Sequence, residues 1–496
     1  MYRKIRIALA VVCFTLITLL FLDFTGSLHR WLSWLAKAQL LPAIMATNVL
    51  IIATLLVLTL LLGRIYCSVL CPLGVMQDII GWLGKRGRGR KHRYTYSPAL
   101  NWLRYGVLAI TVIAALIGLQ PLVALLDPYS AFGRIAQGLL APLWRWGNNA
   151  LAYMAERADS YAFYEVEVWL KGGITLAVAI ATLLVLAVLS WRNGRTYCNT
   201  ICPVGTTLGL LSRFSLLRIQ IDASSCTNCG QCVKNCKASC IDLNTHQIDH
   251  SRCVTCMNCL GKCKFDAISY GRARATAQAP SAEGNGNSMS RRKFLTVSAL
   301  LGSSVALRAQ EKTVDGGLAT LIDKKPSKRA SHIVPPGSKG HSNMNRRCTG
   351  CQLCVSACPN HVLRPSTDLQ RLMQPEMSYE HGYCRPECTR CSEVCPAGAI
   401  ERISKANKSA TQIGHAVWVR DNCVVLADGV ECGNCARHCP TGAIRMVPLD
   451  ESNPDSPLVP AVHTEHCIGC GSCEHLCPAN PFSAIYVEGH EQHREI

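Results

Sequence analysis

The sequence predicts an α-helical membrane domain of four transmembrane helices, two small α+β domains built around cysteine-held metal centres, and a fifth, signal-like apolar segment between those two. Three observations carry this prediction. Four apolar runs approach the roughly 20 residues that a helix needs to cross a bilayer. Thirty cysteines in 496 residues fall mostly into six groups of four. A twelve-residue element also recurs 131 positions along the chain.

The apolar runs are Ile5 to Phe24, Ala43 to Gly63, Leu100 to Leu119 and Gly172 to Leu189. A buried soluble helix explains any one of them, but four such runs with almost no internal charge read as spans. Orientation comes from their basic flanks. Arg3, Lys4 and Arg6 precede the first span, and Arg64, Lys85, Arg86, Arg88, Arg90, Lys91 and Arg93 follow the second. Both flanks are assigned to the cytoplasm, because Lys and Arg concentrate in cytoplasmic loops. Residues 120–169 then lie outside, and Arg192 and Arg195 bring the chain back in.

The recurring element supports this parity. Gly63 to Gly74 and Gly194 to Gly205 share the pattern G-R-x-Y-C-x3-C-P-x-G, as expected of two same-sense helix hairpins ending at one surface. Cys67 and Cys71, like Cys198 and Cys202, are spaced i, i+4 and share a face if the helix runs through them. Four thiols at the inner surface leave three readings open: a further metal or redox centre, redox disulfides, or buried structural sulfur.

Cys226, Cys229, Cys232 and Cys236, then Cys253, Cys256, Cys259 and Cys263, are spaced C-x2-C-x2-C-x3-C. Such runs suit a [4Fe-4S] cubane in which three thiolates grip one cluster and the fourth reaches its neighbour. Structural zinc is the alternative, but zinc usually takes two separated knuckles. Cys240 and Cys13 read as packing residues. A linker rich in Ala, Pro, Ser, Gly and Asn follows, and Ser290-Arg291-Arg292-Lys293-Phe294-Leu295 then opens a moderately apolar run to Leu307. Twin arginines before such a run resemble an export signal, and Ser304-Val305-Ala306 would permit cleavage.

Beyond residue 346 stand four more groups: Cys348, Cys351, Cys354 and Cys358; Cys384, Cys388, Cys391 and Cys395; Cys423, Cys432, Cys435 and Cys439; Cys467, Cys470, Cys473 and Cys477. Each ends in C-P. The intervening sequence lacks strong helix or strand patterns, so the clusters themselves are expected to form the core. The expected domains are 1–212 (membrane), 213–271 (two clusters, cytoplasmic), 272–345 (linker with the signal-like 290–307) and 346–496 (four clusters, periplasmic).

The formal charge of +19 is uneven: residues 346–496 carry 13 Lys+Arg against 17 Asp+Glu, a balance of −4, so the first 345 residues carry +23. Many of the basic residues flank apolar spans, so a nucleic-acid partner is not expected. There is no C-x-x-C-H for c-type haem, no histidine within a span for haem b, and no flavin fingerprint. Electrons therefore enter and leave through iron–sulfur centres, about six [4Fe-4S] clusters in all.

The cysteine-rich domains resemble ferredoxins, which implies two ferredoxin-like α+β folds, although Lys237 and Lys264 stand where ferredoxins have proline. The spans with paired C-x3-C-P and a two-cluster ferredoxin resemble NapH, MauN and the membrane part of NosR. The twin arginines with four cluster groups resemble NapG and MauM. The whole chain thus looks like a NapH–NapG fusion. That resemblance implies oxidation of the membrane quinol pool and delivery of electrons to a periplasmic reductase or c-type cytochrome, from a bacterial inner-membrane location. It also implies that the outer pair of C-terminal cysteine groups associates, as does the middle pair. A quinol site must border the bilayer and offer a proton acceptor; Asp127, Tyr129 and His29 are the leading candidates, with Asp23, Arg104 and Tyr105 behind them. Rival readings are a copper-reducing assembly factor of the cytochrome oxidase type, which resembles only the first half, and a redox regulator of the NosR branch.

Overall fold

The computed structural model describes residues 2–87, 94–166, 168, 172–272, 324–453 and 456–496, with backbone segments 313–314 and 319–320. The signal-like run 290–307, most of the linker and the basic stretch from Arg88 to Arg93 lie outside the described residues.

Helix α1 (Tyr2–Leu22) is uninterrupted because its apolar run contains neither Gly nor Pro. α2 (Ser27–Lys37) and α3 (Leu40–Met45) follow. The second apolar run is not one helix: Thr47 takes a left-handed backbone and α4 restarts at Val49–Leu62, capped by the Asn48 side chain. Next come α5 (Tyr66–Val69), α6 (Pro72–Gly87) and α7 (Asn101–Ile117). α8 (Gln120–Leu126) and α9 (Pro128–Ile135) lead through a π-helical turn at Ala136–Leu140 into α10 (Ala141–Glu156). α11 (Gly173–Asn193), α12 (Thr196–Thr200) and α13 (Pro203–Ser212) complete the bundle.

Two of these helices, α1 and α11, are long and apolar enough to cross a membrane. At about 1.5 Å per residue, α4 reaches only about 21 Å and α7 about 26 Å against a hydrocarbon layer of about 30 Å. Residues 120–156 are almost wholly helical. All eight residues of α9 are buried, and the helix packs against α6 and α11.

The residues after α13 form a small module in which Leu217–Ile221 pairs antiparallel with Ile268–Arg272. It sits at the N-terminal end of α1, where Arg3 Nε donates to Asn258 Oδ1 at 3.2 Å. The last 150 or so residues dock at the opposite end: Ser356 Oγ donates to the Phe21 carbonyl at 2.6 Å, and Arg390 Nη1 to that of Thr25 at 3.0 Å. One continuous apolar core runs from Val254 and Cys256 through the bundle to Cys348, Cys351 and Cys354.

The C-terminal module has more regular structure than its sequence suggests. Thr411–Trp418 pairs antiparallel with Ile485–Glu495, and Ile444–Pro448 with Leu458–Val462. The long strand was illegible because an irregularity between Gly489 and Arg494 breaks its register and with it the alternation of side chains.

Candidate electron-transfer site

In each ferredoxin-like module the short loops turn thiols toward shared cavities. Cys226, Cys229 and Cys232 line one cavity with Cys263, while Cys236 lines another with Cys253, Cys256 and Cys259. Three thiols from one run and the last from the other is the division that a pair of cubanes requires. Cys240 joins the second set, its Sγ 3.6 Å from that of Cys236. Among the described residues, no three Cys, His, Asp or Glu side chains converge tightly enough to grip a single metal ion.

In the C-terminal module, Cys358 lines a cavity with Cys384, Cys388 and Cys391, and Cys395 lies in electrostatic reach of Cys348, Cys351 and Cys354. Cys423, Cys432 and Cys477 share one apolar cluster, with Cys435 beside Cys432 and Cys477. Cys439 stands beside Cys467, Cys470 and Cys473. The first group therefore associates with the second and the third with the fourth, which corrects the outer-with-outer arrangement expected above. The reason is local: each half folds around its own hairpin, Leu363–Pro365 with Pro375–Met377 in the first and Ile444–Pro448 with Leu458–Val462 in the second. The halves meet where the Cys384 amide donates to the Cys470 carbonyl at 2.9 Å. Burial pushes the Cys470 thiol up to about 12 and that of Cys435 up to about 11, so both are neutral until a metal displaces the proton.

The C-x3-C-P thiols come together inside the protein. Cys67, Cys71, Cys198 and Cys202 are all buried in the bundle core. Neither pair rides one continuous helix. α5 stops at Val69 and α12 at Thr200, because Pro72 and Pro203 force the preceding residue out of helical geometry and start new helices. Cys202 caps α13, its Sγ accepting from the Gly205 amide at 3.3 Å.

The two repeats clasp each other through their arginines. Arg64 Nη2 donates to the Cys198 carbonyl at 3.3 Å, and Arg195 Nη1 to the Cys67 carbonyl at 2.7 Å. Gly205 and Gly74 make room for this exchange, since a Cβ would lie 2.9 Å from Arg64 Nη2 at the first and 2.6 Å from Arg195 Nη1 at the second. Both arginines are fully buried, so they are internal struts and not the loop charges that the flank argument took them for. Gly63 and Gly194, both in the left-handed region, let loops of the first ferredoxin module approach: a Cβ would lie 2.8 Å from Thr255 Oγ1 or 2.6 Å from the Lys237 carbonyl.

Charge around this junction is unbalanced. Asp78 meets Arg195 at 2.7 Å, Arg6 at 3.3 Å and also Lys237. Arg64 Nη1 and Arg104 Nη2 both donate to the Ser251 carbonyl, at 2.8 and 3.1 Å. The buried cations Arg64 and Lys237 lie in electrostatic reach of Cys253 and Cys256 in the second cavity, and buried positive charge is costly unless an anion completes it. A thiolate-held cluster carries net negative charge, so the residues present fit that group.

The quinol candidates are split. His29 Nδ1 pairs with Asp23 at 3.1 Å, both buried. Asp127 caps α9 by accepting from the Ser130 amide and hydroxyl at 2.9 and 2.6 Å. Tyr129, with a buried hydroxyl that has no partner, lies in reach of Cys351 and Cys395. Missed from sequence were Arg64, Arg195 and Asp78 as internal groups; the arginine shared by both repeats was the available signal.

Two family models match. A 4Fe-4S binding domain covers residues 44–91 and again 175–221, one copy on each C-x3-C-P repeat. A 4Fe-4S dicluster domain covers 347–424 and 430–480. The methylamine utilization ferredoxin-type protein MauM of Methylophilus methylotrophus is 30% identical over 192 residues, 38% of this chain and 81% of that protein. The chain belongs to the ferredoxin-type electron-transport family of MauM and NapG. NapG of Escherichia coli (strain K12) is likewise 30% identical, over 202 residues covering 38% of this chain and 80% of its own length. MauN of Paracoccus denitrificans is 27% identical over 175 residues, 35% of this chain and 48% of MauN; the chain thus spans about half the length of that relative. No solved structure matches.

Proposed function

We propose that the chain is a membrane-embedded iron–sulfur relay that carries electrons from quinol, through six [4Fe-4S] clusters held by the 24 grouped cysteines, to a periplasmic reductase or c-type cytochrome. The observation that carries this reading is a line of hydrogen bonds and close contacts that leads from one ferredoxin module to the other. Ser251, two residues before Cys253, accepts from Arg64. Arg64 holds the Cys198 carbonyl, with its Nη2 3.8 Å from Cys67 Sγ. Tyr197 donates to the Leu126 carbonyl at 3.3 Å, and α9, which begins two residues on, approaches the Cys351 carbonyl at Gly133.

Clusters supply one-electron steps at tunable potential, and the grouped cysteines of the two modules would hold them at either end of this line. The buried C-x3-C-P quartet sits midway on that path, and a 4Fe-4S binding-domain match on each repeat supports reading it as a further redox centre. Quinol gives up two electrons and two protons, and Asp127 and Tyr129, between the quartet and Cys351, are the groups we assign to receive it, with His29 of α2 beside Asp23. Basic flanks at the N-terminal end of α1 support a cytoplasmic first module and a periplasmic second one.

The test is anaerobic purification followed by iron counting and reduction with a quinol analogue. Six cubanes require about 24 iron atoms, and a seventh in the quartet about 28. Paramagnetic signals that appear on adding the quinol support the reading. A colourless, zinc-loaded protein overturns it, and full iron content with no response to quinol removes the quinol step.

A further inference from the structure

A cavity of about 530 Å³ lies off this path. It opens at the N-terminal end of α1, between α1, α6 and the first ferredoxin module. Two kinds of wall meet there. Arg3, Arg6, Lys85, Lys237 and Lys262 line it with a single carboxylate, Asp78. That carboxylate is committed to Arg6, Arg195 and Lys237, so Arg3, Lys85 and Lys262 face the cavity with no acidic counter-charge among the lining residues. The other wall is apolar: Ile7, Val11, Ile79 and Trp82 line the same cavity and are all exposed.

We infer that this cavity binds an acidic phospholipid of the inner leaflet. The phosphodiester is held by Arg3, Lys85 and Lys262, and an acyl chain runs along Ile7, Val11, Ile79 and Trp82. Like charges gathered round an open space repel one another, and an anion relieves that cost. Exposed apolar side chains beside them are unfavourable in water and favourable against lipid. Basic pockets between membrane helices on the cytoplasmic side recognise acidic headgroups through this combination. A neutral quinol leaves the cations unpaired, and Asp78, locked among three of them, is no proton acceptor for it. The inference rests on the membrane placement proposed above.

The test uses the full-length protein extracted in mild detergent, with retained lipid identified by native mass spectrometry. Phosphatidylglycerol is then competed against phosphatidylcholine in nanodiscs. The expected result is stoichiometric acidic phospholipid on the protein as isolated. The Arg3→Gln/Lys262→Gln double variant should hold phosphatidylglycerol about 30-fold more weakly, as two lost cation–phosphate contacts predict. Arg213→Gln/Arg218→Gln, which removes equal charge outside the cavity, should leave retention unchanged, and inorganic phosphate should not displace the lipid. Equal loss in both variants, indifference to headgroup, or displacement by a quinone analogue overturns the site while the protein still resists alkaline extraction from membranes. A protein released by alkaline extraction overturns the site together with the membrane placement.

Discussion

Gly205→Ala is expected to unfold the junction between the two repeats. The added methyl would lie well inside contact distance of the Cys198 carbonyl oxygen and 2.9 Å from Arg64 Nη2. The carbonyl belongs to backbone in a buried short helix and cannot swing away, so Arg64 must withdraw. Overpacking costs about 1–3 kcal/mol, and loss of a charged hydrogen bond costs about 1.5–3 kcal/mol more. A total of about 4 kcal/mol corresponds to a fall of about 8–16 °C in melting temperature for a domain of roughly 200 residues. Gly74→Ala meets Arg195 Nη1 at 2.6 Å and should behave alike. Gly106, within α7, has nothing within 4 Å of its would-be Cβ, and Gly106→Ala should be neutral or stabilising by up to about 1 kcal/mol. The assay is tryptophan-fluorescence melting of the three purified variants in one detergent. Equal melting temperatures for Gly205→Ala and Gly106→Ala would refute the arginine exchange.

Other consequences follow from the C-terminal module. Cys395→Ser should alter the same paramagnetic signal as Cys348→Ser, and Cys358→Ser the same one as Cys388→Ser; signals grouped instead by position along the chain would contradict the cavity assignments. Tyr379→Phe removes a hydroxyl that donates to the Gly469 carbonyl at 2.6 Å, and should cost about 1 kcal/mol in chemical denaturation. Burial, with His341 and His490 nearby, holds His493 down to about 4 from its ordinary 6.5. Between those values the folded protein binds fewer protons than the unfolded one, so stability falls as pH drops through 6.5. At pH 5.5 the loss is about 1.4 kcal/mol, and His493→Gln should flatten that part of the pH–stability curve.

The cysteine groups and their 4Fe-4S character were legible because a cubane imposes its own spacing on the chain: most of the thiols of a group lie close together in sequence and need no distant partner to be recognised. The repeat was legible for the same reason, as was family membership. What the repeat does was not. Arg64 and Arg195 read as flanking charges, and only their packing across a pseudo-symmetric junction shows that each stabilises the other half. The i, i+4 spacing of the cysteine pairs suggested a single helical face, but Pro72 and Pro203 end that geometry locally.

Composition and spacing by themselves determined that this is an apolar helical unit carrying two ferredoxin-type modules, since apolar length and thiol count are local properties of the chain. Tertiary structure alone decided that α9 is buried in the bundle, that the four C-x3-C-P thiols lie in its core, and that the C-terminal groups associate half by half. Those outcomes depend on which surfaces meet across hundreds of residues, and no local pattern encodes the energy of that meeting.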